Sequence, residues 1–121
     1  MNQNVISLSI ENLELERIQI LRKLERLQET LQSEVDPDAE DSVLELEAHE
    51  RAAALIQTLN ERLRSIDEAL QQAQQGRYGF CERCGQPIDP ARLEIMPETT
   101  FCIECKRIVE RQKGLKVRTA W

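Results

Sequence analysis

Four cysteines decide what this chain can fold into. Cys81 and Cys84 form one Cys-x₂-Cys pair and Cys102 and Cys105 a second. Seventeen residues separate the pairs, and the 121-residue chain has no other cysteine. This spacing is that of a zinc site. Each pair puts two sulfurs on one tight turn, and the intervening segment lets the turns face each other. Four thiolates can then close a tetrahedron around one Zn²⁺ at ~2.3 Å per bond. Gly85, directly after Cys84, permits the positive φ that such a turn often needs. Four sulfurs leave no open position for water or substrate, so the expected role is structural. The ion's binding energy becomes folding energy for a segment too small to hold itself together.

The same cysteines as two disulfides would suit a secreted mini-protein. Met1-Asn2-Gln3-Asn4-Val5 shows no basic region followed by an apolar stretch, so no signal peptide is expected. No apolar run approaches the ~20 residues of a membrane span. A cytoplasmic location, where thiols stay reduced, is the expectation.

Residues 8–75 contain one proline, no glycine and many helix formers. Aromatic residues are only 3% of the chain and charged residues 31%, so a large globular core is not available. Charge divides unevenly, with −9 over residues 1–75 and +3 over 76–121. The acidic half disfavours nucleic acid and favours a basic protein surface or a metal-containing site.

Ile10, Leu13, Arg17, Ile20, Leu24, Leu27 and Leu31 alternate spacings of three and four. So do Ala52, Ile56, Leu59, Leu63, Ile66, Leu70 and Ala73. These are the seams of two coiled-coil helices. Laid antiparallel, Leu24 faces Ala52, Ile20 faces Ile56, Leu13 faces Leu63 and Ile10 faces Ile66. Each pair of numbers sums to 76, which predicts a fold-back at residue 38. Continued outward, Leu27 meets His49, the chain's only histidine and read as a polar packing residue. Arg17 is expected to snorkel or to pair with a glutamate. Pro37 stops the first helix, and Asp36, Asp38 or Asp41 is a candidate cap for the second. Each arm is ~25–30 residues, about 40 Å. Gly76 is a natural stop for the second arm. A short helix over 103–113 should begin inside the second zinc turn and end at Gly114. Trp121 has no assignable role.

The expected fold is mainly α. Residues 1–75 form a long antiparallel coiled-coil helical hairpin with its tip near 34–42. Residues 76–113 form a small four-cysteine zinc-finger module with a short C-terminal helix, and 114–121 form a basic tail. Such a shape makes a poor enzyme pocket and a good probe for a narrow opening. The tip holds Glu34, Asp36, Asp38, Glu40 and Asp41 with no basic residue. One reading is a solvated capping turn, which accounts for two or three of these acids; the functional alternative is that the tip presents carboxylates to a Lys/Arg cluster or an active-site Mg²⁺.

Arg77-Tyr78-Gly79-Phe80-Cys81-Glu82-Arg83-Cys84-Gly85-Gln86-Pro87-Ile88 resembles the first zinc knuckle of the DksA/TraR family. So do Pro90-Ala91-Arg92-Leu93-Glu94, Pro97 and Phe101-Cys102-Ile103-Glu104-Cys105-Lys106. Upstream, Asp38-Ala39-Glu40-Asp41 matches the family's Asp-x-x-Asp tip at the expected distance before the first cysteine. The resemblance implies a bacterial transcription regulator that binds RNA polymerase without reading a DNA sequence. Its coiled coil enters the secondary channel, and the tip acts near the catalytic Mg²⁺. It also implies the four cysteines as ligands and Asp38 and Asp41 as tip effector residues. Three departures stand out. Val43 occupies a place where the family often has alanine. The chain starts almost at the first arm, without the N-terminal extension that builds much of the base of larger members. Where alarmone-binding members contact ppGpp, ungapped counting gives Thr58, Arg62 and Ser65, and only Lys106 matches. That pattern argues against synergy with ppGpp.

A monomeric polymerase regulator is therefore the leading expectation. The alternative is a zinc-stapled adaptor or stress protein that uses the hairpin on a different protein partner. A nucleic-acid module built on the basic C-terminal region is disfavoured by overall acidity and the lack of an aromatic stacking set. No nucleophile–base pair can be nominated, so an enzyme is not expected.

Overall fold

The computed structural model of the protein describes residues 2–119, with side chains described from 4 to 113. It contains four helices: α1 (Asn2–Gln32), α2 (Ser42–Gln74), α3 (Pro90–Ile95) and α4 (Ile103–Thr119). The first two form the antiparallel hairpin. At 1.5 Å per residue they are about 46 and 50 Å long, somewhat longer than the heptads alone marked out. The turn spans residues 33–41, centred one residue from the predicted fold-back.

The heptad seam is where the burial lies. Leu13, Ile20, Leu24, Ala52 and Ile66 are buried. Ile10, Ile56, Leu59, Leu63, Leu70 and Ala73 are half-buried against them. Toward the tip the seam opens, and Leu31 is 39% exposed. Polar cross-links replace apolar ones there, with His49 Nε2 and Ser33 Oγ 3.2 Å apart. His49 thus finds a polar partner in Ser33 across the hairpin. Arg17 corrects another expectation, because its Nε donates to Asp67 at 2.7 Å and not to a glutamate. Cross-helix polar pairs reach further along α2 than the sum of 76 implies. Side chains lean toward the N-terminus of their own helix, and in antiparallel helices both leans add.

Gly76 ends α2 as expected. With Gly76 at φ 73°, its N–H donates to Ala73 at 3.1 Å and that of Arg77 to Gln72 at 2.8 Å. Those two bonds are a Schellman closure, which needs a left-handed residue at the first position after the cap.

The zinc-finger module packs on the open end of the hairpin. Tyr78, Cys81, Ile88, Leu93 and Cys105 share one apolar cluster with Leu13, Ile20, Leu24, Ile66 and Ala69. The first turns of α1 supply part of this base, for Val5 and Ile6 pack against the cluster. Tyr78 is 5% exposed, and its hydroxyl donates to the Pro97 carbonyl at 2.7 Å. Burial pushes its phenol above the usual range, while a hydrogen bond with Ser9 opposes the shift.

Two features differ from the sequence reading. Helix α3 was not anticipated. Asp89 caps it, accepting from the Ala91 N–H at 3.0 Å, and Pro90 sits at its first position. Its Leu93 is 2% exposed and seals the base. Helix α4 does start inside the second cysteine turn, but it runs through Gly114 to Thr119. One glycine costs a helix only ~1 kcal/mol, and no proline follows it. The side chains of Lys116, Arg118 and Trp121 lie outside the described residues.

Candidate metal centre and hairpin tip

Two loops bring the cysteines together. In the first, the Cys81 N–H donates to Gln86 at 2.9 Å and the Gly85 N–H returns to Cys81 at 3.0 Å. Gly85 takes φ 77° to close this turn, and Phe80 and Pro87 form a single antiparallel bridge beside it. In the second, Cys102 immediately precedes α4, and the Cys105 N–H points at its sulfur from 3.5 Å. The Glu82 N–H to Thr100 carbonyl bond, 2.8 Å, ties the two loops.

The four Sγ atoms all lie within 4.8 Å of one another. A tetrahedron with ~2.3 Å metal–sulfur bonds has edges of ~3.8 Å. Cys84 Sγ and Cys102 Sγ are 3.8 Å apart. The donor set and its spacing fit one zinc ion. Cys81 and Cys105 are 3% and 4% exposed, whereas Cys84 is exposed and Cys102 half-buried. Burial pushes the Cys105 thiol up. Cys81 is also raised by burial, but backbone N–H groups of Cys84, Cys102 and Arg83 outweigh this and hold it down at about 6. Arg83 Nη1 approaches Cys105 Sγ at 3.9 Å and offsets part of the cluster's negative charge.

At the other end, about 50 Å away along α2, Asp38 and Asp41 are both exposed. Asp41 stands at the N-cap of α2, yet its side chain makes no capping bond. Its backbone explains this. At φ −94° and ψ 11° it lies outside the extended region from which a cap side chain reaches back. Asp36 instead organises the turn, its Oδ1 accepting from the Asp38 N–H at 3.0 Å. The expected capping of α2 by one of these aspartates is therefore corrected. Asp36 serves the turn, and the carboxylates of Asp38 and Asp41 have no hydrogen-bond partner among the described residues.

A family model described as the prokaryotic dksA/traR C4-type zinc finger matches residues 76–111. The RNA polymerase-binding transcription factor DksA of Caulobacter vibrioides is 34% identical over 104 residues, covering 78% of this chain and 68% of that protein. The chain belongs to the DksA/TraR family. DksA of Escherichia coli is 32% identical over 77 residues, which span 63% of this chain and 46% of that protein. The structure of transcription factor DksA2 from Pseudomonas aeruginosa superposes with a TM-score of 0.68 at 26% identity, covering 93% of this chain and 85% of that one. As a C4-type member of the DksA/TraR family, the protein carries one structural zinc. Among the described residues, no helix is long and apolar enough to cross a membrane.

Thr58, Arg62, Ser65 and Lys106 each have a partner within the chain. The Thr58 hydroxyl donates to Ala54 at 3.2 Å and that of Ser65 to Glu61 at 3.3 Å. Arg62 is held by Glu16 through two bonds of 2.6 and 2.7 Å and by Glu98 at 2.8 Å. Its hydrogen bond to Glu16 raises its pKa, against desolvation. Lys106 lies over the Phe101 ring, 5.9 Å from its centre. The Glu16–Arg62–Glu98 triad was not foreseen, since its members are far apart in sequence and come together only when the hairpin closes on its zinc-finger module.

Proposed function

We propose that this protein regulates bacterial transcription by binding RNA polymerase core through the secondary channel, with no DNA sequence read. The hairpin enters the channel, and Asp38 and Asp41 act on the active site from its tip. One observation carries the reading. Two exposed carboxylates uncommitted within the chain sit at the far end of a rigid, ~50 Å hairpin. The relatives named as RNA polymerase-binding factors support the choice of partner. Polymerase chemistry depends on metal ions and phosphate charge balanced in a tight site. Carboxylates placed beside it alter that balance or compete for its basic residues.

In this reading Cys81, Cys84, Cys102 and Cys105 are the zinc ligands, and the metal fixes the base from which the probe projects. The protein works as a cytoplasmic monomer and catalyses no reaction. Synergy with ppGpp is not expected, because of the residues counted at the alarmone positions only Lys106 matches, and Arg62 is held by Glu16 at 2.6 Å.

Pull-down with core polymerase tests the partner, and competition with another secondary-channel factor tests the site. An in vitro transcription assay with Asp38→Asn/Asp41→Asn tests the tip. The expected result is binding by both forms and a promoter effect by the wild type alone. If the wild type neither binds core enzyme nor competes, the reading is wrong.

A further inference from the structure

Helix α2 exposes its large apolar side chains in a single place. Val43 and Leu44 are each 63% exposed and Leu46 is 52% exposed. All three fall in the first five residues of α2. Among the described residues, the rest of this 33-residue helix leaves no other large apolar side chain exposed. Isolated exposed leucines are ordinary; three within one helical turn, beside the acidic bend, form a patch.

Their direction follows from helical geometry. Ala52 marks the inward face, being 4% exposed. At about 100° per residue, Val43 lies about 180° away from it. Leu44 and Leu46 flank Val43 by about 100° and 60°. Val43 and Leu46 therefore point away from α1 and Leu44 points to the flank, about 80° from Ala52, so the three lie off the hairpin's own seam.

Charge narrows what can cover it. Between Arg26 and Arg51 there are nine acidic residues and no lysine or arginine. Nucleic acid, an anionic membrane and the tip of a second copy are all repelled by that field.

We propose that Val43, Leu44 and Leu46 form a docking knuckle at the hairpin tip. Its occupant is a protein groove with an apolar floor and a rim of lysine or arginine. The knuckle supplies hold through burial of apolar surface, and the surrounding acids supply orientation. This rests on the polymerase reading above, and places the groove in the wall of the channel that the hairpin enters.

The test is fluorescence anisotropy of the zinc-loaded full chain, dye-labelled at its N-terminus, titrated with bacterial core RNA polymerase at two salt concentrations. The variants are Val43→Ser/Leu44→Ser/Leu46→Ser, the milder Val43→Ala/Leu44→Ala, and Asp38→Asn/Asp41→Asn. The triple serine variant should bind on the order of 10–100-fold more weakly with unchanged salt dependence, and its circular dichroism and melting should match the wild type. The aspartate pair should lose salt dependence more than affinity. If the wild type binds and the triple variant binds equally well, the knuckle is overturned while the polymerase reading stands. If the wild type itself does not bind core polymerase, both are overturned. If sedimentation shows a wild-type dimer that the triple variant dissolves, the patch is a contact between copies and the proposal is overturned.

Discussion

Arg62 of α2 grips Glu16 of α1 with two nearly parallel bonds, Nε to Oε2 at 2.6 Å and Nη2 to Oε1 at 2.7 Å. The same guanidinium reaches Glu98 in the zinc-finger module at 2.8 Å. One side chain thus ties both arms of the hairpin to its base.

Removing that side chain should cost more than removing either partner. Glu98 is 12% exposed and one of its oxygens already lacks a partner. Arg62→Ala leaves a nearly buried carboxylate without its cation, and about 2–3 kcal/mol of destabilisation is expected. Glu16→Gln should cost under ~1 kcal/mol, because that pair is about one-third exposed and screened by water. The hydrogen bond from Arg62 lowers the Glu16 pKa below 4.5, against desolvation. A carboxylate depressed on folding stabilises the native state fully above its unfolded pKa. That contribution is lost as pH falls below about 4.5 and through the lower folded value. Urea denaturation of wild type and Glu16→Gln between pH 7 and 3 checks the sign, since the gap between them should close on acidification.

Metal removal should act from the base inward. Apart from the short α3, the segment between Gly76 and Ile103 has no regular secondary structure, and its apolar contribution is Tyr78, Ile88, Leu93 and the partly buried Phe101, together with Cys81 and Cys102. Chelation, or Cys84→Ser, should unfold residues ~76–113 and loosen the first turns of α1, where Val5 and Ile6 rest on the module. Most of the far-ultraviolet helix signal should survive, because the seam from Leu13 to Leu24 is closed by α2. Circular dichroism with and without chelator reads this; an unchanged spectrum and melt would contradict a structural metal.

Much of this arrangement was legible in the chain itself. The two heptad runs marked the seam, since a/d periodicity is imposed by burial and Leu13, Ile20, Leu24, Ala52 and Ile66 are buried. The cysteine spacing marked the metal centre, because tight turns fix sulfur positions locally. What escaped was non-local or short. Helix α3 has six residues, too few for a period, and its only signal was the Asp89-Pro90 cap. The triad joins residues 46 positions apart at its first step, and no local pattern encodes that. The role of Asp41 was misjudged for a backbone reason, since residue type favours capping but its φ and ψ forbid it.

Gly76 offers a backbone test independent of the metal. Its φ of 73° is left-handed and open space surrounds it, so any penalty from a side chain is conformational and not steric crowding by neighbours. Gly76→Ala should lower stability by about 1–2 kcal/mol, with zinc content unchanged. Thermal melting beside a metal assay separates this from damage to the cysteine loops.

The tip offers the sharpest separation of fold from function. Asp38 and Asp41 make no side-chain hydrogen bond that holds the turn, while Asp36 makes one to the Asp38 N–H. Neutralising Asp38 and Asp41 relieves repulsion among neighbouring carboxylates, so Asp38→Asn/Asp41→Asn should leave stability within ~0.5 kcal/mol of wild type or raise it slightly. Asp36→Ala should loosen the bend and cost up to ~1 kcal/mol. If the tip carboxylates are the effectors, the double variant loses the promoter effect with its melt intact. Asp36→Ala should weaken that effect only in part, because the acting carboxylates remain but are held less firmly. Hydrogen exchange at residues 33–41, measured beside promoter-complex lifetime, distinguishes the two. Equal loss of activity in both variants, with equal loosening of the turn, would assign the acids to the bend alone.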